Sequence, residues 1–223
     1  MKLSPQTIEL LKNFSSINPN IIFRIGNTIS TVAEAKNIFA TATITESIDK
    51  QFGIYELNEF LATLDLVDDP ELELTEDSVL IRDGKTLIRY FYSAQDLLTS
   101  PTKGITMPKA ELKLQLSGDV LSKIRRAAAV FGHSTLAIEG SGGVVTISVV
   151  DPKNTTANKY SITVDETNTC QETFSFTMVI GNLKLIPGDY DVSISSKLIS
   201  HFKHTTLPLE YFLALEKTST FGK

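Results

Sequence analysis

Apolar positions along the chain follow two rhythms, a helical one in four stretches and a strand-like one across most of the rest. After Ser4-Pro5, which offers an N-cap side chain and then proline in the first turn, Thr7, Ile8, Leu10, Leu11 and Phe14 form one stripe. A second helix is expected over residues 56–67, with Leu57, Phe60, Leu61 and Leu64 on one side. A third is expected over residues 117–131. There Val120, Leu121, Ile124, Ala127, Ala128 and Phe131 share a stripe, while Ser122, Lys123, Arg125, Arg126 and Ala129 point the other way. A short fourth helix is expected over residues 178–185, ending at Pro187-Gly188.

Strands are expected near residues 21–25, 38–44, 72–75, 79–82 and 86–92 in the first half. In the second half they are expected near 112–116, 135–139, 144–150, 160–164, 173–177, 190–195, 199–204 and 209–216. Residues 93–109 carry Pro101, Gly104 and Pro108 without sustained periodicity and read as a linker. The expected domains are therefore residues 1–108, including the linker 93–108, and residues 109–223. Each half runs helix, strands, helix, turn and a meander of three strands, so the fold class is α+β, two similar domains of two helices backing an antiparallel sheet.

Charge adds a contrast. The net charge of −5 argues against general electrostatic attraction to nucleic acid, so any such role must be local. Residues 1–109 hold ten Lys and Arg against fifteen Asp and Glu, whereas residues 110–223 hold eleven of each. The basic face of the third helix stands out against that background, joined by Lys12 on the first helix and Lys184 on the fourth. An ordinary solvated helix face is the plainer reading of the same residues. Cys170 is the single cysteine, which excludes an internal disulfide. No apolar run approaches the length of about eighteen residues needed to cross a membrane, so a soluble intracellular protein without a signal peptide or membrane partner is expected.

Residue patterns for other chemistry are weak. Gly140-Ser141-Gly142-Gly143 lacks the Gly-Lys-Ser/Thr ending of a phosphate loop and lies between strands, as a hairpin turn would. His201 and His204 stand three apart on a strand, with no nearby Cys, Asp or Glu to complete a metal site, and His133 after Gly132 suits the end of a helix. The acidic run Asp65, Asp68, Asp69, Glu71, Glu73, Glu76 and Asp77 has no calcium-loop spacing and reads as a solvated edge. No nucleophile motif is present, and no catalytic residue, metal or cofactor is expected. The rival readings are a β-rich structural subunit such as a capsid or tail protein, which would not explain the paired helix-and-meander plan, and a hydrolase.

Several ordered segments resemble one family. Met1-Lys-Leu-Ser, Leu10-Leu-Lys-Asn-Phe with Ile17-Asn18, the stretch from Ile54-Tyr-Glu-Leu-Asn-Glu-Phe to Val67-Asp-Asp, the stretch from Phe174-Ser-Phe-Thr-Met to Pro187-Gly-Asp-Tyr, and Tyr211-Phe-Leu-Ala-Leu-Glu resemble the sliding clamps of T4-like bacteriophages. Those are polymerase processivity factors. The resemblance implies the DNA-clamp fold, a homotrimeric head-to-tail ring with helices around the hole, and action in the cytoplasm of an infected bacterium. It implies duplex DNA, the phage polymerase's C-terminal peptide, an ATP-driven clamp loader, and a late-transcription coactivator and sigma-like factor as partners. On that basis Lys12, Lys123, Arg125, Arg126 and Lys184 are expected to face DNA. Leu87, Arg89 and Phe91 of one subunit are expected to meet Tyr160 and Ile162 of the next through strand edges. Leu97, Leu98, Ile105, Met107 and Phe212 are expected to border the peptide groove, the alternative being that the linker residues pack on their own domain.

Overall fold

A computed structural model describes residues 1–154 and 156–222. The chain divides into two compact units, Met1–Gly104 and Ile105–Lys223.

Unit 1 begins with α1 (Pro5–Ile17), capped as its sequence predicts: the Ser4 hydroxyl accepts from the Thr7 N–H at 3.2 Å. β1 (Ile21–Phe23), β2 (Gly26–Val32), β3 (Ile38–Ile48) and β4 (Phe52–Ile54) follow, and then α2 (Leu57–Leu64) and a meander of β5 (Glu71–Leu74), β6 (Ser78–Asp83) and β7 (Thr86–Phe91). β1 pairs antiparallel with β4, and β2 with β3. The meander is ordered β5-β6-β7, which leaves β7 at an edge. α1 packs on α2, β2 and β3 through Leu10, Leu11, Phe14 and Ile17, and α2 is buried at Leu57, Phe60, Leu61 and Leu64. The stripes seen in the sequence are thus the faces that enter the core.

Unit 2 contains β8 (Leu112–Leu116), α3 (Gly118–Phe131), β9 (Thr135–Ser141), β10 (Val144–Val150), β11 (Tyr160–Asp165) and β12 (Phe174–Val179). It continues with β13 (Tyr190–Ser195), β14 (Ile199–His204), β15 (Leu209–Ala214) and β16 (Thr220–Phe221). One sheet is ordered β11-β10-β9-β12-β16, with β11 at its edge, and β15, β14, β13 and β8 follow one another antiparallel in a second. The β9–β10 hairpin turns at Gly142 and Gly143, with φ of 57° and 85°. Positive φ at both central positions is what a two-residue primed turn needs, so the glycine cluster is structural.

The fourth helix is a correction. Among the described residues there are three α-helices, and residues 178–185 hold the end of β12 and a single 3-10 turn, Ile180–Asn182. Phe174, Phe176 and Met178 are buried in strict alternation, and the β12 ladder runs against β9 as far as Val179 paired with Thr135. That pairing carries the chain past the point where a helix would start. β2, β4 and β16 were not expected from the sequence.

Candidate nucleic-acid interface and strand edges

α3 owes its position to caps at both ends. The Ser117 hydroxyl accepts from the Val120 N–H at 3.3 Å, and Gly132 adopts a left-handed conformation with φ 68°, so that the N–H groups of Gly132 and His133 both reach the Ala128 carbonyl. The His133 ring instead meets the Asn158 carbonyl at 2.8 Å, so its main chain, not its charge, closes the helix. Only Leu121, Ile124 and Ala128 are buried, a narrower stripe than the sequence predicts, with Val130 78% exposed.

The five predicted cations fall into different settings. Lys12 projects from α1 as an exposed group whose Nζ lies 3.9 Å from Asp65. Lys123 pairs with Asp119 one turn earlier at 2.7 Å, and the hydrogen bond and charge of Asp119 raise its pKa, keeping it cationic. Arg126 is exposed and makes no ion pair among the described residues. Arg125 departs from the expected solvent-facing role: it is half-buried, and its Nη2 donates to the Leu183 carbonyl at 2.9 Å and the Leu185 carbonyl at 3.1 Å. Lys184 lies beyond the 3-10 turn and not on a helix, exposed between those two buried leucines.

The predicted interface residues occupy two edges. On β7, Leu87, Arg89 and Phe91 share an exposed face, and the Arg89 guanidinium sits 6.0 Å from the Phe91 ring. The opposite face turns inward. Tyr90 packs edge-on against Phe60 with ring centroids 5.2 Å apart, and its hydroxyl donates to the Glu56 carbonyl. On β11, Tyr160 and Ile162 are half-buried and alternate with exposed Ser161 and Thr163. β11 pairs with β10 on one side only, from Val149 opposite Tyr160 to Val145 opposite Asp165.

The predicted groove residues do not behave alike. Leu98 is half-buried and packs over Gly53, while Phe212 is buried in β15, its ring stacked on His201 at 4.4 Å. Leu97 and Ile105 are exposed and Met107 is half-buried. Two residues that the sequence reading missed hold the linker to unit 1. The Asn18 amide donates to the carbonyls of Val32 and Thr99, and Arg24 donates to the Pro101 carbonyl at 2.7 Å and the Ser100 hydroxyl. Both reach more than seventy residues along the chain, and nothing local signals it.

The histidines and much of the acidic run are engaged within the fold. His201 pairs with Glu210, while His204 is buried with Nδ1 accepting from the Thr206 and Leu207 N–H groups, and no metal-holding cluster occurs among the described residues. Much of the acidic run is engaged locally: Lys2 pairs with Asp69 and Glu71, Arg82 pairs with Glu73, and the Asp83 carboxylate accepts from the Asp68 and Asp69 N–H groups.

α1 presents Lys12, α3 presents Lys123 and Arg126, and β7 and β11 each lie at an edge of their sheet. Two family models match the chain, "DNA polymerase processivity factor" over residues 2–105 and "gp45 sliding clamp, C terminal" over residues 113–217. The sliding clamp of Vibrio phage KVP40 is 33% identical over 97% of this chain and 99% of its own length. The chain belongs to the sliding-clamp family. The sliding clamp of Enterobacteria phage T4 is 32% identical, with 99% of each chain covered. Among solved structures, proliferating cellular nuclear antigen from Entamoeba histolytica superposes with a TM-score of 0.71 at 14% identity, covering 94% of each chain. The A. fulgidus PCNA bound to the C-terminal region of FEN-1 also gives 0.71, at 10% identity over 96% of each chain. This is the DNA-clamp fold, with the fourth helix reduced to one 3-10 turn. Membership makes the clamp a non-enzymatic processivity factor, which removes the hydrolase and the capsid or tail readings. No described helix is long and apolar enough to cross a membrane.

Proposed function

We propose that three copies of this clamp close head to tail into a ring around duplex DNA and tether the replicative polymerase in the cytoplasm of an infected bacterium. The observation that supports this most is the pair of unpaired strand edges, β7 in the first unit and β11 in the second. A heterologous contact between two different edges repeats from copy to copy and closes when the rotation allows. Residues 1–108 would then supply one side of each contact and residues 109–223 the other.

Retention on DNA in such a ring is topological, so the cations need only brief, exchangeable contacts with phosphates. Lys12, Arg126 and Lys184, exposed on α1, α3 and the loop after β12, and half-buried Lys123 on α3 suit that task. The polymerase's C-terminal peptide would dock through apolar anchors on the outer surface, with exposed Leu97 and Ile105 of the 93–108 segment as candidates. An ATP-driven loader would open the ring, and a late-transcription coactivator and sigma-like factor would use the same mobile platform.

Native mass measurement together with polymerase extension on primed DNA, loader and ATP supplied, tests the proposal. A trimer that lengthens the products of single binding events is expected. A persistent monomer with no stimulation would defeat it.

A further inference from the structure

Arg125 is a cation of α3 whose hydrogen bonds leave the helix, and both go to the residues flanking Lys184. Its Nη2 donates to the carbonyls of Leu183 at 2.9 Å and Leu185 at 3.1 Å. Leu183 and Leu185 are each only 4% exposed, so the side chains on either side of Lys184 are pinned in the core while Lys184 is exposed. The next residue is held as firmly. The Tyr190 hydroxyl donates to the Ile186 carbonyl at 2.5 Å, and the Ile186 N–H donates to the Tyr211 hydroxyl at 3.2 Å.

The tyrosines come from β13 and β15, so among these anchors Arg125 alone joins the Lys184 segment to α3. A planar guanidinium carries several donors in a fixed fork, which suits two carbonyls approached together better than an ammonium does. We propose that Arg125 is a positioning residue: it ties residues 183–185 to α3 and so presents Lys184 to DNA phosphates, instead of contacting phosphate itself. This rests on the reading of Lys184 as DNA-facing. It divides the basic face of α3 in two, with Arg126 and Lys123 outward and Arg125 aimed sideways at the main chain.

The test is the salt dependence of binding to a short duplex by the full-length clamp and its Lys184→Ala, Arg125→Met and doubly substituted forms. Each phosphate contact contributes a slope of about 0.9 in log affinity against log salt. Lys184→Ala and Arg125→Met are expected to lower the slope equally, and the double variant to lower it no further. Additive losses would overturn the positioning role while leaving Lys184 on DNA. An unchanged slope in Lys184→Ala would remove the DNA-facing reading of Lys184, and the proposal with it. Should Arg125→Met fail to fold, side-chain NMR of the unsubstituted protein decides. Duplex is expected to shift the Lys184 ammonium signal and leave the Arg125 guanidinium signal in place, and a shift at Arg125 of equal size would overturn the proposal.

Discussion

Replacing Phe91 by alanine should separate the proposed assembly from folding, because Phe91 is 62% exposed within the protomer and lies on the outward face of an edge strand. A phenylalanine presents about 200 Å² of surface, so about 120 Å² is available to a neighbour. At about 25 cal/mol per Å², full burial sets a ceiling of about 3 kcal/mol, and a cross-strand pair alone sets a floor of about 0.5 kcal/mol. Phe91→Ala is therefore expected to weaken each contact by roughly 1.5 kcal/mol, about tenfold. In the proposed ring, three such contacts would compound to about a thousandfold in the equilibrium between trimer and monomer. Protomer stability should stay within about 0.5 kcal/mol, as for other surface substitutions. Sedimentation velocity across a dilution series measures the first quantity, and urea unfolding of the dilute monomer the second. Dissociation of the variant over the same concentration range as the unsubstituted protein would refute the edge-strand contact. Dissociation accompanied by an equal loss of protomer stability would refute the claim that Phe91 acts between copies.

Two further expectations concern single side chains in unit 1. Burial pushes the Glu46 carboxyl up, but hydrogen bonds from the Thr7 hydroxyl and the Ser4 N–H outweigh it and leave its pKa below the ordinary 4.5. The stabilisation it gives is thus full above about pH 4.5 and fades as pH falls through the lower folded value. Glu46→Gln should cost about 1–2 kcal/mol at pH 7 and markedly less at pH 3 by urea unfolding, and an equal cost at both pH values would contradict the carboxylate's role. Gly53→Ala would place a Cβ 2.3 Å from the Leu98 methyl and 3.3 Å from the Ser93 carbonyl, lifting Leu98 from its seat. Faster amide exchange across residues 95–98 at a cost of about 1–3 kcal/mol is expected, and unchanged exchange there would show that the linker is held elsewhere.

The sequence was most informative where a single periodicity settled an element. β13 and β14 match their expected ranges, α3 matches to within a residue, and α1 starts where expected but runs on to Ile17, because Ser4 and Ser117 announce their own starts. β2 went unseen because it opens Gly-Asn-Thr, residues that read as turn, and its strand character comes from the ladder with β3. β4 has three residues, and it exists because Ile54, Gly53 and Phe52 meet Ile21, Ile22 and Phe23. In residues 178–185 the apolar residues suit either rhythm, and the long-range pairing of β12 with β9 decides between them. The candidate site divides in the same way. A helical wheel places Arg125 and Arg126 together on the polar face. It cannot show that the carbonyls of residues 183 and 185, about sixty positions later, take one of the two out of that role. Alternation along β15 likewise cannot reveal that Phe212 is covered, because both faces of that strand are largely buried.

If the proposed DNA-facing cations meet phosphates, two of them are set for weak, exchangeable contacts. Lys12 and Lys123 already face carboxylates, Asp65 at 3.9 Å and Asp119 at 2.7 Å, both in exposed pairs. Exposed pairs of this kind are weak and screened by solvent, so a passing phosphate would displace the carboxylate at little cost and gain little in return. A lysine freed from any carboxylate would hold phosphate longer, and one buried in a strong pair would not reach it. An exchangeable partner within the protein levels the electrostatic path along the duplex, since the charge is satisfied both between phosphates and at them. That arrangement would suit the proposed ring, retained by topology, and would reconcile cations on α1 and α3 with a net charge of −5.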